Sequence, residues 1–246
     1  MKMNLTFSMV LLGALTAAAA PKGLLLHCSF DDGSPTEFRC EPHATVKPRL
    51  SENDLSTVAL TDGVHGKALE LNEGSTVKYV FDKPTATALQ ELQPPFTIAL
   101  WMKKTADQPK HGIWLATAVD QAEPGGFELF WGWKRAYFRW GKGDENTLVS
   151  PSGLLFLNKF HHIAVVHDGK TITLYVDARP VAQKNDNGNF KPVPMEKRKR
   201  YLPTIGQYPS RFNAYAHVGM IDDLYVFTRA LTAEEIASLG GGIELK

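Results

Sequence analysis

The most constraining stretch of the chain is residues 159–182, KFHHIAVVHDGKTITLYVDARPVA. It reads as two strands around Asp168-Gly169, a dipeptide favoured by two-residue type I′ hairpins because both central residues need positive φ. Pairing His167 with Lys170 sets Val165 opposite Ile172 and Ile163 opposite Leu174. Side chains alternate along a strand, so these four share one face. Ala164, Val166, Thr171, Thr173 and Tyr175 share the other. An apolar sheet face must be covered, and the rest of the chain offers mostly further strands to cover it.

Residues 23–30, GLLLHCSF, place Leu24, Leu26, Cys28 and Phe30 on one face of a first strand. Residues 36–56 show weak periodicity and read as loop with one short strand at most. Alternation resumes at 67–71 and 75–81, and further strands read at 96–103 (FTIALWMK) and 112–119. Residues 126–141 are rich in aromatics and read as a hairpin turning at Lys134-Arg135. The last strands fall at 201–206 and 216–227. Near the C-terminus, Thr232 and Glu235 form a capping box with Leu231 and Ile236 as its hydrophobic staple, and this is the one helix the pattern supports. Many short strands with turn signals and little helix mean an all-β sandwich or barrel.

The N-terminus differs from the rest. Lys2 precedes an uncharged apolar run that ends in alanines, the pattern of a secretory signal peptide. Ala17 and Ala19 fit the cleavage motif, which assigns residues 1–19 to the signal and 20–246 to the domain. An uncleaved anchor is the alternative, but the run is shorter than the about 20 residues a spanning helix needs. No later stretch is long enough to span. Without the signal, Lys+Arg and Asp+Glu balance at 26 each, which argues against a nucleic-acid partner. The expected location is secreted or periplasmic. There the only two cysteines, Cys28 and Cys40, are expected to form a disulfide, with a buried free Cys28 as the alternative.

Five segments then carry a resemblance. GLLLHCSFDDG, VHGKALEL, FTIALWMK, KFHHIAVVHDGKTITLYVDARPVA and IDDLYVFTRALTAEEIASL are similar, in order, to segments of LamG-like jelly-roll domains of the concanavalin A-like lectin/glucanase superfamily. The resemblance implies a two-sheet antiparallel jelly-roll sandwich with one short C-terminal helix. Phe160 stands where that family usually has Trp. Ala178 replaces the usual Gly of a second Asp-Gly turn, so that turn is not expected to be type I′. The aromatic hairpin and a basic loop at 191–200 depart further from the family.

Asp31, Asp32 and Asp222 are the candidate metal ligands. Simple alternation puts Asp222 on the Leu224/Val226 face, where a carboxylate must be paired, hydrogen-bonded or metal-bound. The resemblance brings the first and last strands side by side and allows a calcium ion there, and a purely structural Asp222 is the alternative. In the aromatic hairpin, Leu129, Trp131, Trp133, Phe138 and Trp140 share one face and Glu128, Phe130, Tyr137 and Arg139 the other. Trp131 and Trp140 read as core. Trp133, Tyr137 and Arg139 are the candidate carbohydrate-binding residues, since sugar rings stack on aromatic faces and polar groups bind their hydroxyls. His161 and His162 point to opposite faces and read as framework. The basic loop could meet an anionic surface, but reads as a solvated loop. Glycoside hydrolysis needs two carboxylates across a cleft, and Glu128 has no partner two or four residues on. The expected function is non-catalytic binding of carbohydrate or a glycosylated surface. A divergent glycoside hydrolase or polysaccharide lyase, and a cell-envelope adhesion protein without a sugar site, are the alternatives.

Overall fold

The hairpin at 159–182 lies toward one edge of a sheet, and its register differs from the expected one. In a computed structural model that describes residues 20–49, 55–106, 111–117, 125–141, 144–199, 202–209 and 215–241, His167 pairs with Ile172, Val165 with Leu174 and Ile163 with Val176. The loop holds four residues rather than two because Asp168 Oδ1 accepts both the Lys170 and Thr171 N–H groups, at 2.8 Å each. The slip is by two residues, an even number, so every side chain keeps its face. Ile163, Val165, Ile172 and Leu174 are fully buried in the main core. The proposed signal peptide, residues 1–19, lies outside the described residues.

In chain order the strands are β1 (Leu24–Cys28), β2 (Gly33–Ser34), β3 (Glu37–Cys40), β4 (Ala44–Pro48), β5 (Val58–Asp62), β6 (Lys67–Leu71), β7 (Tyr79–Phe81), β8 (Phe96–Lys104) and β9 (His111–Ala116). They continue with β10 (Phe127–Gly132), β11 (Arg135–Trp140), β12 (Thr147–Val149), β13 (Phe160–His167), β14 (Thr171–Val176), β15 (Arg179–Asn185), β16 (Thr204–Ile205) and β17 (Gly219–Phe227). One sheet runs β15-β14-β13-β8-β17-β6-β5, with β1 also pairing β17. The other runs β12-β11-β10-β9-β16-β7-β4-β3-β2. Every pairing between strands is antiparallel, and the two sheets enclose one large apolar core as a jelly-roll sandwich.

β8 shows why its sequence reads as nearly continuous apolar residues. Phe96, Ile98, Leu100 and Met102 enter the core between the sheets. On its outer face, Ala99 packs with Ala164, Val166 and Phe227 beneath Leu231 and beneath Ile236 and Leu239 of the C-terminal helix (Ala233–Gly240). That helix starts at the expected capping box: Thr232 accepts the Glu235 N–H, and Glu235 accepts the Thr232 N–H at 2.8 Å. Arg229 clamps Glu235 with two hydrogen bonds.

Two further helices were not expected. The eight-residue helix Lys83–Gln90 is capped by Asp82, which accepts the Thr85 N–H, and has a proline in its first turn, where a missing N–H costs nothing. A four-residue helix, Met195–Arg198, lies in the basic loop. That loop is docked rather than solvated: Arg198 pairs with Glu91 and donates to the Val193 carbonyl, while Gln90 donates to the Arg198 carbonyl. Strands β3 and β4 likewise occupy a stretch expected to hold one short strand at most. Cys28 and Cys40 form a disulfide that ties β1 to β3 across the two sheets.

Candidate functional site: an aromatic cleft and an aspartate cluster

The aromatic hairpin turns one residue earlier than expected. Gly132 pairs with Arg135, so Trp133 and Lys134 are the two central residues, with φ of +45° and +62°. Both dihedrals belong to the left-handed region that a type I′ turn requires. Within the strands the face assignments survive, but Trp133 sits in the turn and leaves the Trp131/Trp140 face for a place beside His111 and Tyr137. Phe127, Leu129, Trp131, Ala136, Phe138 and Trp140 are buried in the core, Trp131 and Trp140 with 1% exposure each. Trp131 donates its indole N–H to His217 Nδ1 at 3.1 Å.

The opposite face opens into a cleft of about 230 Å³ lined by His111, Ile113, Glu128, Phe130, Arg139, Tyr208 and Tyr215. Its floor is Phe130, stacked on Tyr137 with ring centres 4.9 Å apart and planes 9° apart. Arg139 lies over the same Phe130 ring at 5.2 Å and donates to Glu128 Oε2 at 3.3 Å. Glu128 is nearly buried and Arg139 mostly so, and neither is solvated as a surface ion would be. His111 forms one wall, with its ring 5.3 Å from Tyr215 and 4.6 Å from Trp133. Trp133 stands at the rim and is 62% exposed. The three expected sugar-contacting residues, Trp133, Tyr137 and Arg139, therefore do cluster. His111, Tyr208 and Tyr215 were missed. Tyr208 and Tyr215 follow β16 in the chain, and the β9–β16 pairing together with the Ile113 N–H bond to the Tyr215 carbonyl brings that segment to the hairpin.

The second cluster lies where β17 changes partner. Gly219–Ile221 pair with β6, and Leu224–Phe227 pair with β1. Between them the ladder is broken by a bulge, with Asp223 at φ +46°. The bulge adds a residue and so defeats simple alternation. Ile221 faces Met102 on the core side, while Asp222 is paired with Trp101 on the opposite side, not on the Leu224/Val226 face. Asp222 is nevertheless fully buried. Its Oδ2 accepts the Val64 and His65 N–H groups at 2.7 and 3.2 Å, and its Oδ1 meets no partner of good hydrogen-bond geometry. Burial pushes its pKa up to about 7, and the neighbouring Asp223 charge adds to the shift. Asp223 is held by His27 Nε2 at 2.8 Å and His65 Nδ1 at 2.5 Å.

Asp31 and Asp222 both hold the turn between β5 and β6. Asp31 Oδ1 accepts the Lys67 N–H at 2.5 Å. The two glycines of that turn make room for the carboxylates: a Cβ at Gly63 would lie 2.3 Å from Asp222 Oδ2, and one at Gly66 would lie 1.9 Å from Asp31 Oδ1. Asp32 is exposed, and its backbone carbonyl accepts the Arg39 N–H. Among the described residues, no three His, Cys, Asp or Glu side chains converge as a ready metal cage. The feature that fits a hard cation is the buried, unpartnered Asp222 oxygen.

The histidine pair is framework. His161 Nδ1 meets Asp177 Oδ2 at 2.9 Å and its Nε2 accepts the Phe156 N–H. His162 points the other way, and burial pushes its pKa down to about 4. Asp177 and Ala178 are the central residues of a two-residue turn at φ +50° and +62°. That turn is type I′ in form despite the missing glycine, with Asp177 pinned by His161 and by the His162 N–H.

These features define a lectin-type β-sandwich. A family model described as the concanavalin A-like lectin/glucanases superfamily (Laminin_G_3) matches residues 82–237, and the chain belongs to that family. No curated protein sequence gives a significant match. Among solved structures, the chain is similar to domain 4 of AbnA, a GH43 extracellular arabinanase from Geobacillus stearothermophilus, in complex with arabinotriose. The identity is 17% and the TM-score 0.63, over 88% of this chain and 98% of that one. It is also similar to the CBM40 of the Ruminococcus gnavus IT-sialidase bound to alpha2,3 sialyllactose, at 17% identity and TM-score 0.57, over 71% and 96% of the two chains. A third similar structure is the Trypanosoma rangeli sialidase, at 16% identity and TM-score 0.60, where the match covers 89% of this chain and 32% of that enzyme.

Proposed function

We propose that the protein is a secreted, non-catalytic carbohydrate-binding protein whose site is the outer face of the β9–β10–β11 hairpin region. One observation carries the reading: Trp133, a bulky residue, is held in the left-handed region and points its ring into solvent at the rim of an aromatic cleft. A ring presented this way offers a stacking face, and Arg139 and Glu128 offer hydroxyl partners. The domains bound to arabinotriose and sialyllactose support a glycan as the ligand class. A Cys28–Cys40 disulfide supports an oxidising compartment, in line with the N-terminal apolar run.

The cleft has one carboxylate among its described lining residues, Glu128, and it is engaged by Arg139. A hydrolase of the usual kind needs two. Calcium belongs to the same reading as a structural ion: Asp31 and Asp222 would supply carboxylate oxygens, with backbone carbonyls completing the shell. Bound there, it would neutralise the buried Asp222 and fasten the β5–β6 turn to the ends of β1 and β17. The test is a glycan microarray probed with the mature chain, beside a reducing-end assay on the same polysaccharides. Binding without turnover is expected. Turnover that Glu128→Gln abolishes would replace this reading with a hydrolase, and silence on the array with capture of a protein partner would favour an adhesion role.

A further inference from the structure

We propose that the cleft selects an uncharged sugar unit bearing hydroxyls on adjacent ring carbons, and that the Glu128–Arg139 pair makes the selection; this rests on the carbohydrate-binding reading above. Glu128 and Arg139 are the two oppositely charged groups lining the cleft, they are bonded to each other, and both are largely withdrawn from water. Their charges cancel, and among the described lining residues no other Lys or Arg offers a cation to an acidic sugar. A sugar carboxylate entering here would meet the Glu128 carboxylate at close range in a poorly solvated setting, where like charges disfavour each other strongly. Arg139 is further committed, since its Nε donates to Thr147 Oγ1 at 3.4 Å and its guanidinium covers Phe130.

The same pair suits two neighbouring hydroxyls. An ionised carboxylate only accepts hydrogen bonds and a guanidinium only donates them. A hydroxyl does both, so one hydroxyl can donate to Glu128 while the next accepts from Arg139. The two protein atoms are 3.3 Å apart, a spacing that adjacent hydroxyls can bridge side by side. The size of the cleft points to one ring at a time: its volume of about 230 Å³ is below the roughly 300–1,000 Å³ of pockets that enclose drug-sized ligands. Tyr208 and Tyr215 meet edge to face at 5.5 Å beside this slot and leave an aromatic wall for the apolar face of the ring.

The experiment is affinity electrophoresis and titration calorimetry of the mature chain at about pH 7.5 against two matched sets: neutral arabinan, galactan, xylan and mannan, and acidic polygalacturonate, alginate and polysialic acid. The native chain is expected to bind at least one neutral polymer with little salt dependence and to bind the acidic set at least about tenfold more weakly. Glu128→Gln, nearly isosteric, is expected to lose about tenfold on the neutral polymer, the scale of one charge-assisted hydrogen bond, and to gain affinity for the acidic set because Arg139 is no longer neutralised. Its melting temperature and that of Arg139→Lys report whether the fold is intact. Salt-sensitive binding of an acidic polymer by the native chain overturns the inference and leaves the carbohydrate reading standing. Neutral-polymer binding that neither variant weakens also overturns it, since the sugar is then held elsewhere. No binding to any polymer overturns both.

Discussion

Asp222 gives the most direct handle on what the fold costs. Burial and the Asp223 charge push its pKa up to about 7, while an unfolded chain ionises the same group near 3.8. Between those values the native state holds a proton that the unfolded state has released, so this group makes stability fall as pH rises through that window. At about 1.36 kcal/mol per unit, the loss above pH 7 is on the order of 4 kcal/mol. Asp222→Asn keeps an oxygen for the Val64 and His65 amides but carries no charge. In excess chelator, the variant is therefore expected to be more stable than the native chain at about pH 8, and within about 1 kcal/mol of it at about pH 3.5, where the carboxyl is protonated in the folded chain and mostly so in the unfolded one. Urea unfolding at a series of pH values, followed by circular dichroism, reads the difference. An Asp222→Asn chain less stable than native at pH 8 in chelator, or a difference that does not change with pH, would refute the reasoning. Calcium reverses the expectation: if the ion is bound, adding it stabilises the native chain, as a native-state ligand must, and leaves Asp222→Asn unmoved.

Three further outcomes follow from particular contacts. Gly66→Ala adds a Cβ 1.9 Å from Asp31 Oδ1 at φ +61° and should cost about 2–3 kcal/mol by thermal melting, through the left-handed strain and the lost Asp31–Lys67 bond. Gly74→Ala, at φ +80° with nothing nearby, should show the conformational part alone, and an equal loss in both would remove the role given to Asp31. Replacing Cys28 and Cys40 together by Ser opens a loop with a separation of 12 residues and should cost about 3 kcal/mol, read as a lower urea midpoint; an unchanged midpoint would deny the disulfide its stabilising part. Trp133→Ala should leave the melting point within the range of a surface change, about 0.5 kcal/mol, so that any lost binding is not lost folding.

The layout of the sandwich was legible because its signals are periodic. β14 alternates over six residues, β8 and β13 read as long, largely apolar strands, and Thr232 with Glu235 marks a helix start by side-chain chemistry alone. Turn positions were less legible. Asp168-Gly169 carries a type I′ signature, yet its aspartate prefers to cap two backbone N–H groups and so widens the loop. Trp133-Lys134 and Asp177-Ala178 form tight turns without glycine, because strand pairing on both sides, and in one case the His161 contact, holds them there. The face of Asp222 was misjudged for a related reason: a bulge costs one residue of phase and leaves no mark in the hydrophobic pattern. At the cleft, Trp133, Tyr137 and Arg139 could be read from alternation within one hairpin. Tyr208 and Tyr215 could not, because contacts distant in sequence, the β9–β16 pairing and the Ile113–Tyr215 backbone bond, deliver them.

The central claim is that the exposed face of the aromatic hairpin binds sugar. The most direct test is affinity electrophoresis of the native chain and Trp133→Ala through gels containing neutral polysaccharides. The account predicts that at least one polysaccharide retards the native chain and that Trp133→Ala migrates as though the sugar were absent, with its melting temperature unchanged. Equal retardation of both chains, or retardation of neither, would contradict it.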